Sequence, residues 1–136
     1  MKQVFVDTHY WLAVVRPDDQ HKEAARRARS FLGNVILVTT DEVLTEFLAA
    51  LSSHGEMLRC HAARVVRKIL ADPNVRVMPQ TRDSFLDGVE LYEKRPDKKY
   101  SLTDCISMNT MWSQSIGEIL TKDHHFTQEG FTVFMK

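Results

Sequence analysis

The sequence predicts an α/β fold in which a central, mostly parallel sheet of four to five strands is flanked by helices. Two observations lead to this fold class. Short, continuously apolar runs, typical of strands buried on both faces, recur along the whole chain. Longer segments with apolar residues at helical spacing lie between them. Strands that alternate with helices in this way form parallel sheets covered on both faces.

The composition is that of one ordinary globular domain, and we predict a single domain over residues 1–136. The chain is 43% hydrophobic and 26% charged, which argues against disorder. Eighteen Lys and Arg balance eighteen Asp and Glu, so the chain is not a bulk polycation, although the balance allows a local basic patch. It shows no signal-peptide pattern, no apolar run long enough to span a bilayer, and no disulfide framework from Cys60 and Cys105. We therefore expect a cytoplasmic protein with reduced thiols and no membrane association.

The first strand is predicted over residues 4–6, a short apolar run that ends at a carboxylate. A helix over about residues 9–15 follows, and Pro17 stops it. A second helix is predicted over residues 18–32, where apolar side chains fall on one face, and Gly33 ends it.

The second strand is predicted over residues 35–38. Thr39 and Glu42 match a capping box, in which a hydroxyl and a carboxylate each satisfy a free amide of the first helical turn. The helix that they begin continues to Gly55, and another amphipathic helix follows over about residues 56–70.

The third strand is predicted over residues 75–78. A helix begins after it at Thr81 or Asp83, and residues 94–99 form a polar, charged loop. Ser101 is the predicted cap of the next helix. Two more strands complete the sheet, over residues 118–121 and 131–135.

Four acidic residues follow these strands or open the helices after them. Asp7 ends the first strand, Glu46 lies early in the helix after the second, and Asp123 lies just past the fourth. Strand ends and the helix starts that follow them share one edge of a parallel sheet, so these three acids reach that edge directly. Asp104 lies in the first turn of a helix that precedes its strand, so only a loop crossing back over the edge brings it to the same place.

Four carboxylates so close together would repel each other, and a divalent cation relieves that repulsion. Mg²⁺ or Mn²⁺ prefers oxygen ligands, and such a site suits metal-assisted hydrolysis of a phosphodiester. In our working assignment Asp7, Asp104 and Asp123 hold the metal. Glu46 completes the metal's ligands, directly or through water, or orients the attacking water. Three hydroxyl residues support these acids: Thr8, Ser101 and Thr103.

A structural role is the alternative for each acid taken singly, because an Asp at a strand or helix end is more often a cap or turn residue than a ligand. Asp104 could be the acid of a Ser101-x-x-Asp104 cap. Glu46 is harder to explain in this way, because it lies between Leu44 and Phe47 on a largely apolar helix. One shared site explains the four acids together better than four separate caps.

The order of these motifs resembles the PIN domain family, most of all its VapC-type toxin branch. The resemblance covers the whole chain and rests on four motifs: Asp7-Thr8 after an apolar strand, Thr45-Glu46-Phe47, Ser101-Leu102-Thr103-Asp104, and the LTKDHHF run over residues 120–126. It implies a Rossmann-like PIN-type fold and a Mg²⁺- or Mn²⁺-dependent ribonuclease that acts as the toxin of a type II toxin–antitoxin pair. It also implies an RNA substrate, frequent homodimerisation and a cognate antitoxin partner.

The family's acids carry over to Asp7, Glu46, Asp104 and Asp123, and its small hydroxyl residue after the first acid carries over to Thr8. The chain departs from the family pattern after the fourth acid. Many relatives have another acid or a polar residue there, where this sequence has two histidines.

The candidate RNA contacts are three positively charged side chains and one histidine. Arg64, Arg67 and Lys68 share one face of a predicted helix, and His125 lies beside Asp123. A solvated helix face is the more ordinary interpretation of the first three. If one of these patches borders the acids, it would hold the RNA backbone in a salt-dependent manner.

Three other enzyme classes fit the sequence less well. The run Asp123-His124-His125 matches the Asp-His-His motif of another phosphoesterase family, but the Asp-x-Asp pair that this family needs is missing after the first strand. A receiver domain would need an acid after the third strand, where Pro79 stands. A serine hydrolase would need a Gly-x-Ser-x-Gly elbow, which is absent. We interpret His9 as structural, because it shows no metal-ligand spacing with the other histidines.

Two functional alternatives stay open at this point. One is a catalytically silent module of PIN type that only binds RNA or protein, and the other is a DNA-directed nuclease, because acid–metal chemistry does not select the sugar. A candidate dimer interface is an apolar face around Leu44, Leu48 and Leu51, although the same residues would fit a core.

Overall fold

The computed structural model describes residues 1–135, and strands and helices alternate along them. The elements, in chain order, are β1 (Gln3–Val6), α1 (Thr8–Val15), α2 (Lys22–Leu32), β2 (Ile36–Thr40), α3 (Asp41–Leu51), α4 (Glu56–Ala71), β3 (Val75–Met78), α5 (Arg82–Lys94), α6 (Leu102–Ser113), β4 (Glu118–Leu120), a 3₁₀ helix (His124–Glu129) and β5 (Thr132–Phe134).

The strands form one five-stranded sheet in the order β3-β2-β1-β4-β5, and every neighbouring pair is parallel. This confirms the predicted α/β class. β1 is the central strand: Phe5 lies opposite Val38 of β2 on one side and opposite Ile119 of β4 on the other. The chain runs from β1 to β2 and β3 on one side of the sheet and then crosses to β4 and β5 on the other. This reversal opens a crevice at the carboxyl ends of β1 and β4, where α/β sheets bind ligands.

The core lies on both faces of β1, whose Val4, Phe5 and Val6 are all 0% exposed. α1 packs against α2 and α3, while α4 packs against α3 and β3. Burial on both faces explains why this strand reads as a continuous apolar run in the sequence.

α5 and α6 pack closely because Gly88 leaves room between them. A Cβ atom added at Gly88 would lie 2.5 Å from Cγ1 of Ile106 on α6. This close contact fixes α6, and with it the acid in its first turn, against the rest of the fold.

The N-terminal cap of α3 is Thr40, so the predicted capping box of Thr39 and Glu42 is wrong. The hydroxyl of Thr40 accepts a hydrogen bond from the backbone N–H of Val43, at 3.1 Å. Thr39 is still part of β2, and its hydroxyl donates to the backbone carbonyl of Val6 in the neighbouring strand, at 2.9 Å. Thr40 is the cap because β2 extends to Thr40 and α3 starts directly after it, at Asp41.

α2 begins at Lys22, later than the sequence predicts. Residues 17–21 form a turn instead, in which a side-chain oxygen of Asp19 accepts from the backbone N–H of His21, at 2.8 Å. Aspartate stabilises such turns as well as it stabilises first helical turns, which explains the difference.

The apolar face suggested as a dimer interface lies mostly in the core. Leu44 and Leu51 are 4% and 0% exposed, and only Leu48, at 37%, reaches the surface. Of the two interpretations left open for these leucines, the structure supports a core position for Leu44 and Leu51, because the apolar stripe of α3 covers the sheet. No disulfide joins Cys60, which is exposed, to Cys105, which is buried. Within residues 1–135, no helix combines the length and the apolar character that crossing a membrane requires.

Candidate active site

Asp7 lies directly after β1, at the carboxyl edge of the central strand, and is 2% exposed. It occupies the N-cap position of α1, but its carboxylate makes no capping hydrogen bond. Its Oδ2 instead accepts a hydrogen bond from the hydroxyl of Thr121, at 2.9 Å. A buried carboxylate that does not cap its helix needs another role.

Thr121 follows β4 and holds two aspartates in place. It is 0% exposed, and while its hydroxyl donates to Asp7 it also accepts from the backbone N–H of Asp123, at 3.0 Å. Thr121 is not among the site residues predicted from the sequence. Its position at the end of a strand, two residues before an acid, is the signal that could have identified it.

Asp123 is the N-cap of the 3₁₀ helix, and its Oδ1 accepts a hydrogen bond from the backbone N–H of His125, at 2.9 Å. It also belongs to two groups of side chains whose potential ligand atoms lie within 4.8 Å of one another. The first group adds Asp7 and His9, and the second adds Asp104 and His125. Asp123 therefore links the other two aspartates.

Asp104 reaches this edge because α6 begins there. Its Oδ2 accepts from the backbone N–H of Ser101, at 3.0 Å, and its own N–H donates to the hydroxyl of Ser101, also at 3.0 Å. The capping role considered for Asp104 is thus real, and it fixes the carboxylate beside Asp123 rather than competing with a role in the site.

The electrostatics of Asp104 show how crowded the carboxylates are. Burial, together with the nearby charges of Asp7 and Asp123, raises the pKa of Asp104 from 3.8 to about 6. The hydrogen bonds from Ser101 and His125 oppose this change. Without a cation, the Asp104 carboxyl is still mostly ionised at neutral pH, but its ionisation costs free energy that it does not cost in water.

Two imidazoles lie against the aspartates. Nδ1 of His9 is 3.3 Å from Oδ2 of Asp7, and Nδ1 of His125 is 3.3 Å from Asp123 and 3.4 Å from Asp104. The hydrogen bond with Asp7 raises the pKa of His9, in spite of partial burial. His9 therefore lies at the site, a position that spacing among the histidines alone does not predict. Its place two residues after Asp7, on the first turn of α1, was the available signal.

Tyr100 supports His125 from the side, with ring centres 5.4 Å apart. The tyrosine hydroxyl donates to Oε2 of Glu129, at 2.8 Å, and Arg95 forms an ion pair with the same carboxylate, at 3.0 Å. This chain of contacts limits the movement of the His125 ring.

Glu46 belongs to neither group of close ligand atoms. One of its carboxylate oxygens accepts a hydrogen bond from the hydroxyl of Thr8, the residue after Asp7, which is 4% exposed. Glu46 is thus at the site's border and is connected to it through Thr8.

Of the other site residues predicted from the sequence, some lie at the acids and others lie away from them. Ser101 contacts Asp104 as described, and Thr103 is half-buried in the first turn of α6. Arg67 and Lys68 are exposed near the carboxyl end of α4, which residues 72–74 join to the first residue of β3. That end of α4 therefore lies toward the amino-terminal edge of the sheet, away from the acids, and Arg64 is exposed one turn before it.

The donor set fits a hard divalent cation. Three aspartates offer oxygen ligands at one place, and two of them are nearly buried, at 2% and 8% exposed. Their mutual repulsion, visible in the pKa of Asp104, is what a bound cation would remove. Mg²⁺ and Mn²⁺ take carboxylate oxygens and keep several waters, which a partly open site of this kind allows.

Comparison with known families and structures agrees with this geometry. The sequence pattern of the PIN domain matches residues 4–131. The structure is similar to the crystal structure of Mycobacterium tuberculosis VapC20, described as a toxin that cleaves the sarcin–ricin loop, with 25% identity, a TM-score of 0.83, and coverage of 95% of this chain and 96% of that one. No curated protein sequence matched.

Two more distant structures share the fold. A toxin–antitoxin complex from Klebsiella pneumoniae is 15% identical with a TM-score of 0.65, covering 96% of this chain and 94% of that one. DNA-bound VapBC from Salmonella typhimurium is 12% identical with a TM-score of 0.67, covering 98% and 97%. The match over residues 4–131, together with the strand order and the converging aspartates, shows that the chain belongs to the PIN domain family, as predicted, and that it resembles the VapC-type branch.

Proposed function

We propose that this protein is a Mg²⁺- or Mn²⁺-dependent endoribonuclease that hydrolyses RNA phosphodiester bonds. The observation that carries the proposal is the convergence of Asp7, Asp104 and Asp123 at the carboxyl edge of the central strands, with Asp123 common to both close groups. Membership of the PIN domain family supports a nuclease, and the similarity to a toxin described as cleaving RNA of the sarcin–ricin loop supports RNA as the substrate.

The three aspartates would hold the cation. When bound, it would polarise a phosphoryl oxygen and lower the pKa of a coordinated water. The chain's own contribution is to hold these carboxylates in fixed positions. Thr121 orients Asp7 and the backbone of Asp123, and the cap at Ser101 orients Asp104.

Glu46 is the acid best placed to orient water rather than to bind metal directly. Its hydrogen bond from Thr8 leaves its second carboxylate oxygen as an acceptor. It is half-buried and outside both groups of close ligand atoms, so it can face solvent that enters the site. Thr8 acts as its positioning residue.

For the RNA, the side chains at the same edge of the sheet are the best candidates. Nζ of Lys122, between Thr121 and Asp123, lies 3.1 Å from Nε2 of His21 and presents positive charge beside the acids. His125 is half-exposed there. The exposed cations of α4 would contact only a longer RNA that passes around the sheet.

We further propose that the protein is the toxin of a type II toxin–antitoxin pair, neutralised by a cognate antitoxin and active as a homodimer. The support is its likeness to VapC20 and to toxin–antitoxin complexes that share the fold. This part of the proposal concerns partners and is separate from the chemistry.

The direct test is cleavage of RNA by the purified protein. We expect Mn²⁺ or Mg²⁺ to support cleavage of single-stranded RNA, excess EDTA to abolish it, and re-added metal to restore it. Single-stranded DNA of the same sequence, digested in parallel, tests the choice of sugar. RNA that is bound but never cleaved, at any metal concentration, would instead indicate a silent binding module.

A further inference from the structure

A groove of about 390 Å³ lies between α1 and α2 on the surface of the protein. Two residues of α1 and four residues of α2 line it: Tyr10, Val14, Lys22, Arg26, Arg29 and Ser30. Three of these six side chains are cationic and none is acidic. The groove therefore presents positive charge to a molecule that lies in it.

The groove is connected to the candidate active site at the beginning of α2. His21 is the N-cap of that helix, and its Nε2 atom lies 3.1 Å from Nζ of Lys122. Lys122 directly precedes Asp123, the acid that links the other two aspartates. Lys22, directly after His21 in the chain, already lines the groove. A series of basic side chains thus leads from the aspartates into the groove.

Two of the groove's cations are held in place without being neutralised. Nζ of Lys22 donates to the backbone carbonyls of Val14 and Arg16, at 3.0 and 3.3 Å. Nη1 of Arg29 donates to the carbonyl of Gly33, at 2.8 Å. Within residues 1–135 neither side chain forms an ion pair, whereas Arg26 pairs with a glutamate of its own helix. Lys22 and Arg29 therefore keep a charge and further N–H donors for an anionic ligand.

Single-stranded RNA is the occupant that this chemistry fits best. Its phosphates repeat along the strand, as the cations do along the path from Lys122 to Arg29. Tyr10 and the aliphatic stems of the basic side chains provide apolar surface on which sugars and bases can lie. An acidic peptide would complement the groove alone. RNA accounts both for the groove and for its connection to the aspartates.

We propose that the groove between α1 and α2 binds the phosphate backbone of the RNA substrate on one side of the cleavage site. Lys122 leads the strand from the aspartates to Lys22 and Arg29. Contacts to phosphates position a strand but do not read its bases, so the groove determines the affinity and path of the RNA and not the cleavage sequence. The inference rests on the proposed ribonuclease function, but RNA binding can be measured without cleavage.

The first experiment measures the binding of a fluorescein-labelled single-stranded RNA of about 12 nucleotides by anisotropy, in EDTA and at several salt concentrations. The double variant Lys22→Gln, Arg29→Gln removes two charges from the groove, and glutamine can still donate to the carbonyls that these side chains contact. The double variant Arg64→Gln, Arg67→Gln removes two charges from the exposed face of α4 and is the matched control.

We expect the groove variant to bind this RNA at least about fivefold more weakly than the wild type at low salt. The slope of log affinity against log salt should become shallower by about 1.4, because each phosphate contact on a single strand contributes about 0.7. The α4 variant has the same change in net charge and should bind as the wild type does. A difference between the two variants therefore reports on the position of the charges and not on their number.

The second experiment needs no variant. The backbone amide resonances of the isotope-labelled wild-type protein are followed by NMR while the same unlabelled RNA is added in EDTA. We expect perturbed resonances over residues 21–30 and at Lys122, and unchanged resonances over residues 64–68 of α4. Poly-L-glutamate is titrated in parallel as an anionic peptide probe and should perturb residues 21–30 less than RNA does.

The results separate the two proposals. Equal weakening in the two double variants, perturbation of α4 and not of α2, or no binding of RNA at low salt would overturn the RNA groove even if RNA is cleaved in the presence of metal. Residues 21–30 that respond to poly-L-glutamate and not to RNA would overturn it in favour of an acidic protein segment. Absence of metal-dependent cleavage by the wild type would overturn the ribonuclease proposal, while the binding measurements would still decide whether the groove holds RNA.

Discussion

Replacing Asp7 with asparagine is expected to lower the rate of RNA cleavage by about a thousandfold or more while leaving the protein folded. A metal centre contributes several kcal/mol of transition-state stabilisation, and each 1.4 kcal/mol corresponds to about a tenfold change in rate. Asparagine has nearly the same shape as aspartate, and its amide oxygen can still accept the hydrogen bond from Thr121. The change therefore removes charge from the candidate centre without removing a packing contact.

Asp72→Asn is the matched control, because Asp72 is exposed in the segment that joins α4 to the first residue of β3, at the amino-terminal edge of the sheet and away from the acids. Cleavage rates are measured for both variants under saturating Mn²⁺, and circular dichroism and thermal unfolding report on the fold. We expect the control to retain wild-type activity. Full activity of Asp7→Asn would contradict the assignment of Asp7 as a metal ligand.

Asp104→Asn is expected to abolish cleavage and at the same time to stabilise the metal-free protein at pH 7. The pKa of Asp104 is about 6 in the folded state, against 3.8 for the free group, so folding favours its protonated form. Ionising Asp104 in the folded protein therefore lowers the free energy of unfolding. This loss is absent below about pH 4 and complete above about pH 6. At 1.36 kcal/mol per pKa unit, the cost is on the order of 3 kcal/mol or less at neutral pH.

Urea unfolding in EDTA at a series of pH values measures this effect. The wild type should lose stability relative to Asp104→Asn as the pH rises from 4 to 6, because the unfolded chain releases the proton at lower pH than the folded protein does. Asparagine can still accept the hydrogen bond from the backbone of Ser101, so the helix cap is kept. Added Mg²⁺ should narrow the difference by stabilising only the wild type. A variant that is less stable than the wild type at pH 7 would contradict the proposed crowding of carboxylates.

The class of the sheet and the positions of its strands along the chain follow closely from the sequence, since the buried strands of a parallel sheet are continuous apolar runs between helical segments. Asp7 and Asp123 could be located for the same reason, as each comes just after such a run. Asp104 could not, because its place depends on how the chain crosses back over the sheet after α5. The path of the chain after α5 depends on residues that only the tertiary packing brings together, such as Gly88 and Ile106.

The missed residues show a second limit of sequence reasoning. Thr121 is far from Asp7 in the chain, and the two residues are in contact only because β1 and β4 are neighbours in the sheet. The sequence shows which residues end each strand but not which strands are adjacent. Glu42 shows a related limit: the sequence predicts a capping role for this residue, and the structure gives the cap to Thr40 instead.

The most direct test of the shared metal centre is anomalous diffraction from crystals of the wild-type protein soaked in Mn²⁺. We predict an anomalous peak bounded by the carboxylates of Asp7, Asp104 and Asp123, and no such peak in crystals of Asp7→Asn treated in the same way. A site that stays empty at saturating Mn²⁺, or Mn²⁺ bound away from Asp123, would contradict the account.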